Sequence, residues 1–276
     1  MRCKGLQEKE RIDKLLVKMG FFNSREKAKR AVMAGEVYVD GIIVDKPGTI
    51  VDNKSNIHIK GNSLPFVSRG GLKLEKALDV FEISVKGCTV IDIGASTGGF
   101  TDCLLKKGAK KVYAVDVGYG QLDWALRNDP RVVCMERTNA RYLKPSDFDV
   151  EFDMATVDVS FISLAKILPA VSNLIKNRGS IITLIKPQFE AGRSQVGKKG
   201  VVKDPGIHQE VIKKTIISAS ENGLFLKDIT FSPIKGPKGN IEFLGYFIKS
   251  PQKIDYKKLE DKVYQTVISA HNLLNA

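Results

Sequence analysis

The sequence has few of the residues that build disulfide frameworks and metal centres. Of its 276 residues only four are cysteine and three are histidine, and no two cysteines have C-x-x-C spacing. The cysteines are Cys3, Cys88, Cys103 and Cys134, and the histidines are His58, His208 and His271. This scatter argues against a disulfide scaffold or a zinc site. We therefore predict no metal and expect the histidines to be surface residues.

Long apolar runs are also missing. No segment approaches the roughly 18 apolar residues of a membrane span, and the charged N-terminal segment lacks the apolar region of a signal peptide. This pattern predicts a cytoplasmic protein with no membrane partner. The charge balance, in contrast, is one-sided, with 44 Lys and Arg against 31 Asp and Glu and a net charge of +13. Such an excess favours a polyanionic partner, nucleic acid before membrane.

Residues 8–65 have the pattern of a small separate domain. Apolar residues at helical spacing predict two short helices, the second capped by Asn23 or Ser24. Asp40-Gly41 between β-branched runs predicts a hairpin. The segments R-I-D-x-x-L, S-R-x-x-A-x-x-x-V and G-x-V-x-V-D-G, which lie in order between residues 11 and 41, resemble the S4 RNA-binding domain.

The S4 resemblance implies that the basic second helix and the hairpin dock on structured RNA. Folded RNA is recognised largely by its shape and by phosphate contacts, for which a rigid positive surface is suited. The residues that we predict to bind RNA are Arg11, Ser24, Arg25, Lys27, Lys29 and Arg30. A basic helix that is merely solvated is the alternative.

Residues 66–276 alternate between strand and helix patterns, which predicts an α/β domain with a mostly parallel sheet. Strands are expected near 88–94, 112–117, 132–136, 153–159, 180–186, 224–232 and 240–248, and helices near 98–107, 120–128, 163–176, 206–222 and 256–274. Only a turn separates the last two strands, so they should form an antiparallel pair. This order is similar to the Rossmann-like, seven-stranded fold of S-adenosylmethionine-dependent methyltransferases.

The stretch from Val90 to Phe100 predicts a cofactor site. An apolar strand runs into the turn G-A-S-T-G-G and then into a helix, and Asp116 ends the next strand, where such sheets place an acid on a ribose diol. A dinucleotide and S-adenosylmethionine both fit this pattern. Asp92, just before the turn, would repel a pyrophosphate and suits the cationic S-adenosylmethionine. The predicted cofactor-binding residues are Asp92, Gly94, Ala95, Ser96, Thr97, Gly98, Gly99, Phe100, Asp116, Asn139, Ala140 and Asp158.

Two charged residues interrupt apolar strands at the edge of the predicted sheet where ligands bind. Asp158 follows Ala155-Thr156-Val157 and Lys186 follows a run of mostly apolar residues. A charge at the end of a buried strand is costly unless it is paired or used, so a plain ion pair and a catalytic pair both remain open. With Lys73 and Glu242 they resemble the K-D-K-E tetrad of FtsJ-type ribose 2′-O-methyltransferases.

Motifs along most of the chain resemble the TlyA (haemolysin A) family of rRNA 2′-O-methyltransferases. They are S-R-G-x-x-K-L, D-x-G-A-S-T-G-G-F-T, D-V-G-Y-G-Q-L, R-N-D-P-R-V, E-R-T-N-A-R, D-x-S-F-I-S-L, K-P-Q-F-E and G-N-x-E. The resemblance implies methylation of a cytidine ribose in 16S or 23S rRNA, with ribosomal RNA or ribosomal subunits as the partner. A membrane-active haemolysin and a catalytically silent RNA-binding protein are the competing hypotheses.

Physical chemistry suggests how the four charged residues share the reaction, since a lysine can accept the 2′-OH proton only as a neutral amine. We expect Lys186 to act as the base, with Asp158 and Glu242 as orienting groups. Lys73 would tune the pKa of Lys186 or position the 2′-OH; a nearby cation lowers that pKa and the carboxylates raise it, so the sequence does not fix the net direction. The basic, glycine-containing loop 192–206 is predicted to be a lid, an RNA contact or an ordinary flexible loop.

Overall fold

A computed structural model describes residues 9–19, 21–22, 24–53, 55–60, 65–236, 238–250 and 256–274. The chain divides into two compact units, residues 1–64 and 65–276. The predicted boundary lies between residues 65 and 66, one residue after this division. The alternative cap Asn23 is outside the described residues.

The first unit is a small α+β fold. Its elements are β1 (Lys9–Arg11), α1 (Ile12–Lys18), α2 (Arg25–Met33), β2 (Val37–Val39), β3 (Ile42–Ile43), β4 (Ile50–Asp52) and β5 (Ile57–Ile59). Strand β2 pairs antiparallel with β3 and β5, and β1 pairs with β4. The predicted hairpin turn at Asp40-Gly41 is present, with φ of 51° and 84° as a type I′ turn requires. Ser24 caps α2, because its Oγ accepts from the Lys27 N–H at 3.4 Å.

The second unit is built on one mixed sheet. Its helices are α3 (Gly70–Val80), α4 (Gly99–Lys106), α5 (Trp124–Arg127), α6 (Leu168–Leu174), α7 (Pro187–Glu190), α8 (Pro205–Ser220) and α9 (Tyr256–Leu274). Its strands are β6 (Thr89–Ile93), β7 (Lys111–Val115), β8 (Val132–Met135), β9 (Phe152–Val157), β10 (Ile175–Ile185), β11 (Leu224–Phe231) and β12 (Phe243–Lys249). Among the described residues the strand order is β11-β12-β10-β9-β6-β7-β8, with only β12 antiparallel to its neighbours. The predicted seven-stranded, Rossmann-like architecture is confirmed.

The sheet has an apolar core on each face. Ile91 and Ile93 of β6 pack into one core with α6, α8 and α9, while Val90 packs into the other with α3 and α4. A central parallel strand is covered on both faces, which is why β6 reads as a nearly continuous apolar run. The carboxyl ends of β6, β7, β9 and β10 therefore meet at one edge, where such sheets bind ligands.

Two predicted helices are shorter than expected. The helix expected over 120–128 is reduced to α5, because the carboxylates of Asp116 and Glu136 accept backbone N–H groups of the preceding loop and hold it in turns. The helix expected over 163–176 begins with a 3₁₀ turn and ends at Leu174. Strand β10 starts directly after it and is irregular near Arg178, whose φ is 65°.

The expectation that all three histidines are surface residues is wrong for His208. Its side chain is fully buried between α8 and α9. Its Nε2 lies 3.2 Å from the Val202 carbonyl oxygen and its Nδ1 lies 2.9 Å from His271 Nε2. Burial lowers its pKa to about 4. Both ring nitrogens have a partner, so the neutral ring can be buried without an unsatisfied polar atom.

Candidate active site

The predicted strand–turn–helix forms the centre of the site. Gly94 and Gly98 have φ of 83° and 95°, in the region that favours glycine. A Cβ on Gly94 would lie 2.4 Å from the Asp158 carbonyl oxygen, and a Cβ on Gly98 would lie 2.3 Å from Leu126 Cδ1. Both positions combine a left-handed backbone with a close approach, so a side chain at either would displace the turn or the loop that carries Asp158.

The Asp116 carboxylate joins this turn to the loop after β7. It accepts the Ser96 N–H at 2.8 Å and the Gly118 N–H at 2.7 Å, and it is half-buried. A carboxylate has about four acceptor positions. Asp116 can therefore hold the loop and still accept from the hydroxyls of a ligand at the turn.

The predicted cofactor residues divide into an accessible and a buried group. Those with accessible surface are Gly94, Ser96, Thr97, Asp116, Asn139 and Asp158, and those that are buried are Asp92, Ala95, Gly98, Gly99, Phe100 and Ala140. The first group can touch a ligand directly. The second group forms the frame that shapes the turn, and a direct contact from it stays a prediction.

Asp92 lies beneath the turn with no solvent exposure. Its two oxygens accept from the hydroxyls of Thr101 at 2.7 Å and Thr156 at 2.8 Å, and burial raises its pKa to about 6. Sequence reasoning expected a direct interaction with the ligand, whereas the structure shows a carboxylate engaged by two hydroxyls. Thr101 and Thr156 were missed, although Thr156 stands out as a polar residue within the apolar strand β9.

The four residues of the predicted tetrad form two ion pairs at the carboxyl edge of the sheet. Lys73 Nζ lies 2.6 Å from Glu242 Oε2, and Lys186 Nζ lies 2.5 Å from Asp158 Oδ1. Lys73 and Lys186 are each 8% exposed and Glu242 is 1% exposed. Lys186 and Glu242 flank the paired residues Ile185 and Phe243, so the two ion pairs are neighbours. Buried charges at this density are stable only when paired and hydrogen-bonded.

Further polar groups support the two pairs. Ser160 Oγ accepts from Lys186 Nζ at 3.0 Å, and Gln188 Nε2 donates to Glu242 Oε1 at 3.3 Å. A Cβ on Gly236 would lie 2.5 Å from Glu242 Oε1, so the backbone there packs on the carboxylate. None of these three residues was predicted to be part of the site. The signal that could have found Ser160 and Gln188 is their position two residues after Asp158 and Lys186.

Glu190 links the loop after Asp158 to the helix after Lys186. It accepts from Ser163 Oγ at 2.6 Å and from the Leu164 N–H at 2.7 Å, and burial raises its pKa. Phe161 lies between Asp158 and Ser163 in this loop and is 90% exposed, with φ of 64°. Its ring centroid is 5.0 Å from that of Phe189. The clamp at Glu190 therefore restrains a loop that carries both Asp158 and an exposed aromatic ring.

The predicted RNA-binding residues of the first unit do not form one uniform surface. Arg11 and Arg25 pair with the buried Asp13, at 3.0 Å and 2.8 Å, and the hydrogen bond from Arg11 is the main reason that the pKa of Asp13 falls to about 2. Lys29 pairs with Glu26. Two further residues, Lys27 and Arg30, are exposed and have no ion-pair partner within the part of the chain that the structure describes.

The described residues contain neither a metal-binding group nor a membrane-spanning helix. No group of three or more His, Cys, Asp or Glu side chains within those residues could hold a metal ion. None of the helices there is both long and apolar enough to cross a bilayer.

Comparison with known proteins matches both units to families. An FtsJ-like methyltransferase model matches residues 66–249, and an S4 domain model matches residues 10–57. The chain is 43% identical over 264 residues to the Mycobacterium tuberculosis 16S/23S rRNA (cytidine-2′-O)-methyltransferase TlyA, covering 95% of this chain and 98% of that one. It is 46% identical over 239 residues to Hemolysin A of Brachyspira hyodysenteriae, covering 86% and 99%.

A solved structure agrees with these matches. A Streptococcus thermophilus protein with 48% identity covers 98% of both chains with a TM-score of 0.77. The resemblances to the S4 and FtsJ-type families that the sequence showed are thereby confirmed. The chain belongs to the FtsJ-like methyltransferase family and carries an S4 domain in its N-terminal part.

Proposed function

We propose that this protein transfers a methyl group from S-adenosylmethionine to the 2′-OH of a cytidine ribose in ribosomal RNA. The observation that carries the proposal is the pair of buried lysine–carboxylate contacts beside the glycine turn. The name of the Mycobacterium tuberculosis relative supports both the reaction and the rRNA substrate.

The hydrogen bonds of the turn favour S-adenosylmethionine over a dinucleotide. A pyrophosphate site needs free backbone N–H groups. Here the N–H groups of Gly94 and Ala95 donate to the Val115 carbonyl, that of Ser96 donates to Asp116, and that of Gly98 donates to the Ala95 carbonyl. With these four donors already used, the turn is less suited to phosphate and suits a cationic ligand.

The accessible residues of the turn would hold the cofactor. Asp116 has the position and the spare acceptor capacity for a ribose diol, and the Asp158 loop packs directly on Gly94. The bound cofactor supplies a sulfonium methyl group, which is electrophilic. The protein then has to bring a ribose oxygen into line with that methyl group and remove its proton.

The tetrad can perform that proton removal. Lys186 would take the 2′-OH proton as the oxygen attacks, once its amine has given up its own proton, and Asp158 and Ser160 orient that amine and stabilise the ammonium that forms. The Lys73–Glu242 pair, fixed by Gln188, lies at the next position and directs the hydroxyl toward the methyl donor. Positioning of this kind can contribute about 7 kcal/mol or more to lowering the barrier.

The test is the Lys186→Ala variant assayed for transfer of labelled methyl to ribosomal subunits and to purified rRNA. We expect a rate loss of about 10²-fold or more, while RNA affinity and S-adenosylmethionine affinity stay within a few-fold of the wild type. A normal rate in the variant would contradict the role of Lys186. Tight RNA binding by the wild type without any transfer would favour the catalytically silent alternative.

The second candidate, a membrane-active haemolysin, rests on the name of the Brachyspira hyodysenteriae relative. Purified protein should then release dye from liposomes at protein concentrations comparable to those used in the methylation assay. We expect no release, because none of the helices in the described ranges could span a bilayer.

A further inference from the structure

Two basic segments of the second unit lie next to the tetrad, and the first is part of loop 192–206, for which the sequence left a lid, an RNA contact and a flexible loop open. Residues 193–203 contain four cations and no acid, and residues 235–238 contain two lysines and no acid. The exposed cations of the first segment are Arg193, Lys198, Lys199 and Lys203, and Lys238 is the exposed cation of the second. We call these two segments the basic loop surface.

Asn240 holds the two segments together. It is 1% exposed, its Oδ1 accepts the Val202 N–H at 2.9 Å and its Nδ2 donates to the Gly200 carbonyl at 2.9 Å. Its own carbonyl accepts the Gly236 N–H at 2.9 Å. Asn240 therefore holds the first segment through its buried side-chain amide and the second through its backbone carbonyl, which is more order than a solvated loop needs.

The same contacts place the basic loop surface beside the reacting groups. Asn240 is two residues before Glu242, and the Gly236 backbone packs on the Glu242 carboxylate. A Cβ on Gly200 would lie 3.4 Å from Lys238 Nζ, so the cation of the second segment lies over the first. The cations are thus held close to Glu242 by the backbone from Asn240 to Glu242 and by the backbone at Gly236.

Within the described residues these exposed cations have no ion-pair partner. Lys198, Lys199 and Lys238 make no salt bridge there, unlike Lys213 and Lys214, which pair with Glu260 and Glu210. Asp204, the acid that follows the first segment, uses its carboxylate to accept the Gly206 N–H at 2.7 Å. Clustered, unpaired positive charge on an ordered backbone is the feature that binds phosphates.

We propose that the basic loop surface binds the phosphate backbone of the RNA strand next to the target nucleotide, with Asn240 as its positioning residue. This inference rests on the proposed function, since it identifies which surface of the catalytic unit holds the substrate strand. The surface acts on phosphates, so it fixes the position of the ribose and contributes no base specificity.

The test is the double variant Lys198→Ala/Lys199→Ala in the full chain. Its matched control is Lys86→Ala/Lys110→Ala, which removes the same charge from exposed residues just before β6 and β7, at the opposite end of these parallel strands. Binding is measured by fluorescence anisotropy with labelled oligouridine over a range of salt concentrations, without cofactor. Methyl transfer to ribosomal subunits is measured in parallel.

We expect the test variant to bind oligouridine about tenfold more weakly at 0.15 M salt, with the slope of log K against log salt reduced by about one to two. The KM for subunits should rise while kcat changes less than about threefold. The control should stay within about twofold in each measurement. The single variant Lys238→Ala should show a smaller loss of about two- to threefold.

Several results would overturn the inference. An equal loss in the two double variants would mean that only net charge matters, and an unchanged oligouridine affinity would remove the surface as a contact. A loss of binding to phosphatidylglycerol vesicles with RNA affinity intact would assign the surface to anionic lipid instead. Weakened RNA binding in a protein that transfers no methyl group would keep the surface and contradict only the proposed reaction.

Discussion

Two fully buried carboxylates, one in each unit, respond to burial in opposite ways. Asp13 is paired with two arginines, and its pKa falls to about 2. Asp92 is bonded to two hydroxyls and has no cation, and its pKa rises to about 6. Both side chains have no solvent exposure. The comparison teaches that two causes act together: burial is the main reason that the pKa of Asp92 rises, and the arginine partners of the less deeply buried Asp13 stabilise its charged form.

The largest expected effect concerns Asp92. A raised pKa means that its stabilising contribution is complete below the unfolded value of 3.8 and is lost as the pH rises through about 6. Asp92→Asn removes this loss of stability, because asparagine does not ionise. Its amide can still form hydrogen bonds with the hydroxyls of Thr101 and Thr156. The substitution should therefore raise the unfolding free energy of the second unit by about 2–3 kcal/mol at pH 8, because each pKa unit is worth about 1.36 kcal/mol.

The measurement for Asp92→Asn is hydrogen exchange of the amides of β6 and α4 at pH 8 and pH 5. The gain should shrink at pH 5, where the wild-type carboxyl is mostly protonated. Thr156→Val is the control, since loss of one hydroxyl should destabilise the protein more at pH 8 than at pH 5. A gain that is independent of pH would show that the pKa of Asp92 is not raised in the folded protein.

A smaller effect of opposite sign is expected for Asp13. Its lowered pKa means that its contribution is present above the unfolded value of 3.8 and is lost as the pH falls toward 2. Asp13→Asn should lower the unfolding free energy of the first unit by about 2 kcal/mol, because charge-assisted hydrogen bonds to Arg11 and Arg25 are weakened. Hydrogen exchange of α1 and α2 at pH 7 measures it.

Substitutions at Asp13 and Arg30 test whether the paired and the unpaired cations of the first unit contribute differently to its stability. The substitution frees both arginines, whose side chains are 43% and 47% exposed. Arg30→Ala is the matched change, because it removes an exposed cation that has no ion-pair partner among the described residues. If Arg30→Ala destabilised α2 as much as Asp13→Asn, the division between paired and available cations would be wrong.

The smallest effect is expected for Glu190, whose partners are a hydroxyl and a backbone amide and whose pKa, like that of Asp92, is raised by burial. Glu190→Gln retains an acceptor and should change stability by less than about 1 kcal/mol. Glu190→Ala should release the Asp158 loop and lower kcat about tenfold with little change in the cofactor affinity. Rescue by glutamine but not by alanine would identify positioning, whereas equal losses would contradict it.

The sheet and the glycine turn were readable from the sequence because both depend on local patterns. Apolar runs that end in small or charged residues identified β6 and the positions of Asp158 and Lys186. The partners of these residues were not readable, because Thr101 and Thr156 meet Asp92 only through the register of α4 and β9. His208 was misjudged for the same reason, since the ring that satisfies it is His271, 63 residues away.

The catalytic assignments depend on contacts between residues far apart in the chain, which a sequence pattern does not show. The structure shows Lys73 and Lys186 each in contact with a carboxylate, and the sequence could group the four residues as one tetrad only through a family resemblance. Their roles in the reaction stay predictions until the variants are measured. The length of α5 was overestimated because side-chain carboxylates compete locally with the helical hydrogen bonds, and that of α6 because a 3₁₀ turn precedes it and β10 begins directly after it.

The direction of a single strand decides whether this protein has a tetrad at all. Since β12 runs antiparallel to β10, the residue before its first position, Glu242, stands beside the residue after the last position of β10, Lys186. If β12 ran the other way, its seven residues at about 3.3 Å each would carry Glu242 more than about 20 Å from that lysine. Lys73 would then be a buried cation without a counter-charge. The reversal in the chain before β12 is thus as necessary to the chemistry as any of the four side chains.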